Sequence, residues 1–312
     1  MISEFSLIEW ISRRAPSPAE GLGIGDDAAV VKCRPGFELA VTTDAIVENV
    51  DFVRGRLPAA LAGRKALAVN LSDAAAMGAE PRFFLMTLGI PRGMSQRWIR
   101  AFCEGTFQLA RRYSVSCVGG DLSKSSVFFA SITLMAEVKK GAEIRRSGAQ
   151  AGDLIYVTGE LGGSLSGRHA SFEPRVREAL FLAEKFRPTA MLDVSDGLVQ
   201  DLGHLLKSSG VSAEIDLDAV PVSKAARSRA QGLSDQALQH ALSDGEDFEL
   251  VMSVPRTKAP AMEAAWKKKF PQTRFTRIGR IENGAQKMRF TRAGRPDPAF
   301  RMTRKGYDHF EP

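Results

Sequence analysis

Short apolar runs alternate with longer stretches of helical periodicity along the chain, and this alternation is typical of sheet and helix packed in layers. In the first half, Phe5, Ile8 and Ile11 recur at helical spacing and predict a short N-terminal helix. Further helices are predicted at 58–78 and 95–113, and strands at 30–31, 38–43, 83–90, 116–118 and 127–138. We therefore expect a first layered domain in this half.

A polar, glycine-containing stretch at 139–152 separates that half from a second alternation, which begins with the apolar run 154–157. The second half predicts a glycine-rich loop at 159–167, helices at 198–208 and 259–269, and strands at 213–217, 248–254, 275–281 and 288–291. We expect an α/β (α+β) protein of two domains, 1–140 and 141–312, each a sheet covered by helices.

Composition indicates a folded protein of a reducing compartment. Of 312 residues, 44% are hydrophobic and 25% charged, which excludes a largely disordered or low-complexity chain. Three scattered cysteines are too few for a disulfide framework. Because Glu4 and Glu9 stand where a signal peptide carries basic residues, and no apolar run is long enough to span a bilayer, we expect a cytoplasmic protein without a membrane partner.

The net charge of +7 is concentrated near one end of the chain. Residues 256–305 contain 15 Lys and Arg against 3 acidic residues. A basic segment can bind nucleic acid, but no recognition-helix, RNA-binding or zinc-finger pattern accompanies this one. We expect a charged surface and no nucleic-acid partner.

Aspartates stand repeatedly at the ends of apolar runs. Asp73 is the most informative, because the stretch 66–77 is otherwise almost wholly apolar and a core-facing helix has no packing reason to contain an acid. The others are Asp26, Asp27, Asp44, Asp121, Asp193 and Asp196. Each alone could cap a turn or pair with an arginine. Together, with few histidines and no paired cysteines, they indicate oxygen ligands for Mg²⁺ that leave room for phosphate.

Glycines next to these acids suggest close approach of the backbone to a phosphate, yet the common phosphate motifs are absent. The stretch 119–126 reads GGDLSKSS, which is not a P-loop, and the protein-kinase signatures are missing. If this protein transfers phosphate, we expect it to do so with a fold other than that of the P-loop enzymes or the protein kinases.

Eight motifs resemble one known family in order along the chain. They read GIGDDAAVV from residue 23, VTTDAIVENVDF from 41, KALAVNLSDAAAMGAEP from 65, GGD from 119, RSGAQAGDLIYVTG from 146, LDVSDGLVQDLGHL from 192, GEDFEL from 245 and KGYDHF from 305. The sequence resembles the thiamine-monophosphate kinases, a family of the superfamily that includes aminoimidazole-ribonucleotide synthetase, selenophosphate synthetase and a hydrogenase-maturation protein.

The resemblance implies ATP-dependent phosphorylation of thiamine monophosphate to thiamine diphosphate, with several Mg²⁺ ions. It implies a homodimer whose parallel sheets pair through the N-terminal, metal- and nucleotide-binding domain, while the C-terminal domain completes the site. The implied metal ligands are Asp27, Thr42, Thr43, Asp44, Asp73, Asp121, Asp193 and Asp196. The implied ATP contacts are Gly120, Asp121, Arg146 and Ser195, and the implied contacts to thiamine monophosphate are Asp51, Glu246 and Tyr307. No side chain is expected to form a covalent intermediate, since the transfer is direct.

Two positions depart from the family pattern, and two other functions stay open. Asn49 and Asp244 stand where the family has glycine, so the loops near the substrate are expected to differ slightly. The alternatives are another ATP-using enzyme of the superfamily, acting on a different small substrate, and a non-catalytic nucleotide-binding module. The second would have lost its acids, which are all present here.

Overall fold

The computed structural model describes residues 4–304, 306 and 307. The chain divides into two compact units. The first contains the residues up to Ala74 together with Ala79–Ala142, and the second contains Ala75–Gly78 and the chain from Glu143 onward. Of the predicted terminal motif, only Gly306 and Tyr307 are among the described residues.

The first unit is a four-stranded sheet with helices. Its elements are α1 (Glu4–Arg14), β1 (Phe37–Val47), α2 (Ala59–Ala76), β2 (Glu80–Pro91), α3 (Gln96–Tyr113), β3 (Ser116–Ser125) and β4 (Phe129–Lys139). The strand order is β1-β4-β2-β3, and only β2 and β3 run parallel. The strand predicted at 30–31 is wrong, because Val30 makes only an isolated bridge with Leu22 and is exposed.

Local sequence explains these elements. In α3, Ile99, Phe102, Cys103 and Phe107 recur at helical spacing and are all buried. The helix ends at Ser114, whose left-handed backbone directs its N–H to the carbonyls of the last turn. In β4, every second residue from 130 to 136 is buried, as expected for a strand with one covered face.

Helices α2 and α3 approach each other through glycines. A Cβ on Gly63 would lie 1.8 Å from the Phe102 carbonyl oxygen, and one on Gly105 would lie 1.9 Å from that of Ala60. Thr106 Oγ1 donates a hydrogen bond to the Gly63 carbonyl at 2.8 Å. The contact therefore requires glycine at both positions.

The second unit is a seven-stranded sheet with helices. Its elements are β5 (Leu154–Thr158), α4 (Val176–Lys185), β6 (Ala190–Asp193), α5 (Leu198–Ser209), β7 (Ser212–Asp216), α6 (Lys224–Arg229), α7 (Ser234–Ser243), β8 (Leu250–Val254), α8 (Ala259–Lys269), β9 (Phe275–Glu282), β10 (Met288–Arg292) and β11 (Arg295–Pro296). The strand order is β11-β10-β7-β9-β5-β8-β6, in which only β7 and β10 run parallel. The expectation of parallel sheets in the N-terminal half is therefore wrong, since only β2 and β3 run parallel there, while the two-domain α/β architecture is confirmed.

Much of the basic charge in the second unit is paired. Arg280 and Arg289 each contact both Glu214 and Glu282. Arg292 contacts Asp218, Asp235 and Asp297, and Arg274 contacts Glu160. Among the described residues, no helix is both long and apolar enough to cross a membrane.

Candidate active site

Strand β1 and helix α2 bring together two predicted metal ligands of the first unit. Thr42, on β1, donates its hydroxyl hydrogen bond to Asp73 Oδ2 on α2. Asp73 is only half-buried, whereas the neighbouring residues of α2 are almost all buried. Its partial exposure and its hydrogen bond with Thr42 lower the cost of an acid in this apolar stretch. Asp44 follows Thr42 at a spacing of two, so strand alternation places both on the face that α2 covers.

Asn70 adds an unusual oxygen to this face of α2. It lies three residues before Asp73 and is fully buried. Its Nδ2 donates to the Ala66 carbonyl at 3.0 Å, whereas Oδ1 has no hydrogen-bond partner among the described residues. Buried oxygens are nearly always satisfied, so a bound cation or its water would suit this one. The donors are all oxygen, which fits Mg²⁺.

Thr43 and Asp121 form hydrogen bonds within the sheet and not with α2. Thr43 Oγ1 donates to the Ile132 carbonyl at 3.1 Å and accepts from Thr133 Oγ1 at 3.1 Å. Asp121, on β3, accepts from Ser123 Oγ at 2.7 Å. The neighbouring Gly120 is required by the sheet itself, since a Cβ there would lie 1.9 Å from the Met86 carbonyl oxygen.

The strand order separates Asp44 from Asp121. Asp44 pairs with Ile132 on β4, which pairs with Met86 on β2, which pairs with Gly120 on β3. Strands β1 and β3 thus form opposite edges, three interstrand spacings or about 14 Å apart. One Mg²⁺ cannot bind both carboxylates of the same sheet, because its ligand distances are about 2 Å.

Asp27 and Asp51 lie in loops of the first unit. Asp27 is exposed, and its backbone N–H donates to Asp26 Oδ1 at 2.9 Å. Asp51 Oδ2 accepts from the Val47 N–H at 2.8 Å, and its carbonyl accepts from Lys65 Nζ at 3.1 Å. Lys65 is 1% exposed, so the loop of Asp51 is held from within by a buried ammonium group.

In the second unit, three separate segments meet. Glu246 N–H donates to the Ser195 carbonyl at 2.6 Å, and Tyr307 N–H donates to the Asp196 carbonyl at 2.9 Å. Gln200 on α5 donates from Nε2 to the Tyr307 carbonyl at 2.8 Å. The structure therefore joins the predicted ATP contact Ser195, the predicted metal ligand Asp196, and both predicted thiamine contacts of this unit.

The loop after β6 places Asp193 and Asp196 near a further buried acid. Asp193 ends the strand, and the Asp196 N–H donates to Asp201 Oδ2 at 3.0 Å. Burial, and secondly the negative charge of Asp196, raise the pKa of Asp201 to about 7. The positive charge of Arg146 opposes this rise in the pKa of Asp201, so the predicted ATP-binding arginine lies within electrostatic range of the loop.

The segment 244–249 contacts the glycine-rich loop and the turns that follow it. Asp247 is 1% exposed and accepts from the Gly162 N–H at 2.8 Å and from the Ser164 hydroxyl. Its burial raises its pKa to about 7, although these hydrogen bonds oppose the shift. Glu249 is fully buried and accepts two hydrogen bonds from Arg175, at 2.6 and 2.7 Å.

Comparison with known proteins places this geometry in one family. Residues 25–138 match the AIR synthase related protein N-terminal domain, and residues 150–289 match the corresponding C-terminal domain. The thiamine-monophosphate kinase of Salmonella typhimurium is 36% identical over 98% of each chain. The chain belongs to the thiamine-monophosphate kinase family.

Solved structures of that family have the same fold. The thiamine-monophosphate kinase from Stenotrophomonas maltophilia K279a is 35% identical, covers 95% of this chain and 98% of its own, and has a TM-score of 0.80. AaThiL complexed with AMPPCP and TMP is 29% identical, covers 98% of this chain and 97% of its own, and has a TM-score of 0.75.

The two departures from the family motifs have structural explanations. Asn49 has a φ of 70°, a left-handed conformation that asparagine tolerates better than most non-glycine residues. Asp244 caps the C-terminus of α7 and accepts from the Gly163 N–H at 3.1 Å. It also contacts His240 Nδ1 at 2.9 Å and Arg229 Nη1 at 3.3 Å. Both residues are therefore accommodated without loss of a predicted ligand.

Several side chains that support this site carry no functional signal in the sequence. His169, Arg168, Arg175 and Glu249 were not predicted, although the glycine-rich loop pointed to their region. Among the residues that the structure describes, no three His, Cys, Asp or Glu side chains come together as a metal-binding group.

Proposed function

We propose that this chain transfers the γ-phosphoryl group of ATP directly to the phosphate of thiamine monophosphate, yielding thiamine diphosphate. The observation that carries the proposal is similarity to thiamine-monophosphate kinases over nearly the whole chain. The related AaThiL, complexed with AMPPCP and TMP, supports the same pair of substrates here.

Mg²⁺ fits the donor set of the proposed site. Carboxylate and hydroxyl oxygens are the ligands that this ion prefers, and the unsatisfied Asn70 Oδ1 lies on the same helix as Asp73. The ions would be held by Asp27, Thr42, Thr43, Asp44, Asp73, Asp121, Asp193 and Asp196. When bound, Mg²⁺ neutralises phosphate charge and holds the reacting oxygens in line.

The chain's own residues would bind and orient the two substrates. Arg146 would supply positive charge for the ATP phosphates. Ser195 and the Gly120 backbone, each in a different family motif, would also contact ATP. Tyr307 is 38% exposed, and its ring face can stack on the cationic thiazolium of thiamine. Glu246 adds a carboxylate of opposite charge to that cation, and Asp51 would contact the same substrate.

We also propose a homodimer, which the geometry of the first unit supports. Asp44 and Asp121 occupy opposite edges of one sheet, too far apart to share an ion. In a two-fold dimer, the β1 edge of one copy can meet the β3 edge of the other, which would combine the two acids in each of two sites. Leu39 and Val41, 41% and 61% exposed on β1, would then be covered.

The function is tested with purified protein, ATP, Mg²⁺ and thiamine monophosphate, followed by chromatography of thiamine diphosphate. We expect product that depends on added Mg²⁺ and disappears with chelator. Absence of product with every divalent metal tested would contradict the proposal. The three free cysteines fit the reducing cytoplasm that we propose as its location.

The dimer is tested by mixing two inactive variants, Asp44→Asn and Asp121→Asn, after partial denaturation and renaturation. If both copies contribute to each site, mixed dimers regain one intact site, and activity returns to about a quarter of the wild-type value. No recovery, or a strict monomer in sedimentation at micromolar concentration, would contradict the shared site.

A further inference from the structure

His169 contacts the carboxylate that the proposed function assigns to thiamine monophosphate. Its Nδ1 lies 3.2 Å from Glu246 Oε2, within reach of a charge-assisted hydrogen bond. The His169 side chain is 15% exposed and that of Glu246 is 25% exposed. The pair is therefore mostly shielded from water, which strengthens the contact, while the carboxylate still reaches the surface.

The backbone around Glu246 needs such support. Glu246 and Phe248 both have left-handed φ values, of 55° and 50°. This conformation costs a non-glycine residue free energy, and it persists only where surrounding contacts fix it. The hydrogen bond from the Glu246 N–H to the Ser195 carbonyl holds the main chain, but a main-chain bond alone does not set the side-chain torsions of a long residue.

His169 is itself firmly held on the facing segment. It lies in a short helical turn, Arg168–Ala170. Before it, Arg168 contacts the fully buried Glu249. After it, Phe172 stacks on Phe248 with ring centroids 4.3 Å apart and an interplanar angle of 16°.

Residues next to Glu246 in sequence also contact the segment that contains His169. Asp247 receives hydrogen bonds from Gly162 and Ser164, and Glu249 receives them from Arg175. The segments 162–175 and 244–249 are joined along their length, and His169 is the member of the first that reaches the proposed substrate carboxylate. We propose that His169 is a positioning residue, which holds the Glu246 carboxylate in the orientation that binds the cationic part of thiamine monophosphate.

This inference rests on the proposed function, since Glu246 matters to binding only if thiamine monophosphate is the substrate. It predicts that removal of His169 weakens the binding of thiamine monophosphate and leaves the binding of ATP unchanged. Without the His169 contact, the Glu246 carboxylate spends less time in the orientation that binds substrate, so the apparent affinity for thiamine monophosphate falls. ATP binding should be unaffected, because no ATP contact is assigned to Glu246.

The test compares His169→Ala and His169→Asn with wild type in steady-state kinetics. Removing a hydrogen bond to a charged group should raise the KM for thiamine monophosphate about tenfold in His169→Ala. The KM for ATP should stay within about twofold. Asparagine can present an N–H at nearly the position of Nδ1, so His169→Asn should recover most of the loss. The control is His204→Ala, an exposed histidine on α5, which should match wild type.

Equal changes in the two KM values, or alanine and asparagine variants that behave alike, would overturn the positioning role. A second measurement does not depend on turnover. In protein labelled with ¹⁵N-histidine, Glu246→Gln should shift the ring resonances of His169 and leave those of His204 unchanged. If wild type does not phosphorylate thiamine monophosphate, the proposed function fails on its own. An unshifted His169 resonance overturns the contact in either case.

Discussion

Asp247 is a buried carboxylate whose replacement by asparagine should change how stability depends on pH. It accepts from the Gly162 N–H and from the Ser164 hydroxyl. In Asp247→Asn, the amide oxygen can keep the bond from Gly162, and the amide NH₂ can donate to Ser164, whose hydroxyl can rotate to accept. The variant therefore preserves both hydrogen bonds and removes the titratable carboxyl, together with its 3.9 Å contact to Arg168 Nη1.

The sign and size follow from the raised pKa. Burial raises the pKa of Asp247 from its ordinary value of 3.8 to about 7, so the native state keeps a proton that the unfolded chain releases. The associated stability is fully present below the unfolded pKa and is lost as pH rises towards 7. Each pH unit in that window corresponds to about 1.4 kcal/mol, and less as pH reaches 7, so wild type should lose about 2 kcal/mol between pH 5 and pH 7 through this group.

The assay is urea unfolding of wild type and Asp247→Asn at pH 5, 6, 7 and 8. Asp201 titrates in both proteins, so its contribution cancels in the difference. We expect the stability of the variant relative to wild type to increase by about 3 kcal/mol from pH 5 to pH 8. Asp235→Asn, which removes an exposed carboxylate of the same unit, should not reproduce this trend. A difference that stays constant with pH would refute the reasoning.

Three further changes test other parts of the structure. Gly105→Ala places a Cβ 1.9 Å from the Ala60 carbonyl oxygen and should cost about 2 kcal/mol or more, seen as a lower Tm. Its control, Gly203→Ala on α5, meets nothing closer than 3.6 Å and should gain about 0.5–1 kcal/mol. Asp44→Asn should abolish turnover at an unchanged Tm, and wild-type activity at low Mg²⁺ would exclude it as a ligand. Tyr307→Ala should raise the KM for thiamine monophosphate well above any change for ATP, whereas early melting with both KM values unchanged would assign the ring to packing.

The elements that sequence predicted well are those with strong local periodicity. Helix α8 has the predicted bounds, Ala259–Lys269, and α3 differs by one residue. Helices α4, α6 and α7 were missed, since they have only 6 to 10 residues and short helices depend on tertiary packing more than on their own sequence. The direction of neighbouring strands was also missed, because it depends on connections between distant segments.

The residue types in the sequence predicted the chemistry of the candidate site. They did not predict the contacts that support it. Aspartates at the ends of apolar runs indicated a cation site because burial of an acid demands a reason. The contacts of Glu249 with Arg168 and Arg175 join residues 81 and 74 positions apart, and no local pattern marks such pairs. Likewise, a lone histidine in a glycine-rich region gave no signal that it reaches Glu246.

The most direct test of the proposed reaction follows the γ-phosphoryl group itself. Purified protein is incubated with ATP labelled at the γ-phosphate, Mg²⁺ and unlabelled thiamine monophosphate, and the products are separated. Direct transfer predicts one ADP for each thiamine diphosphate, with the label in the terminal phosphate of the product. Release of the label as inorganic phosphate, or formation of AMP with no labelled thiamine diphosphate, would contradict the account.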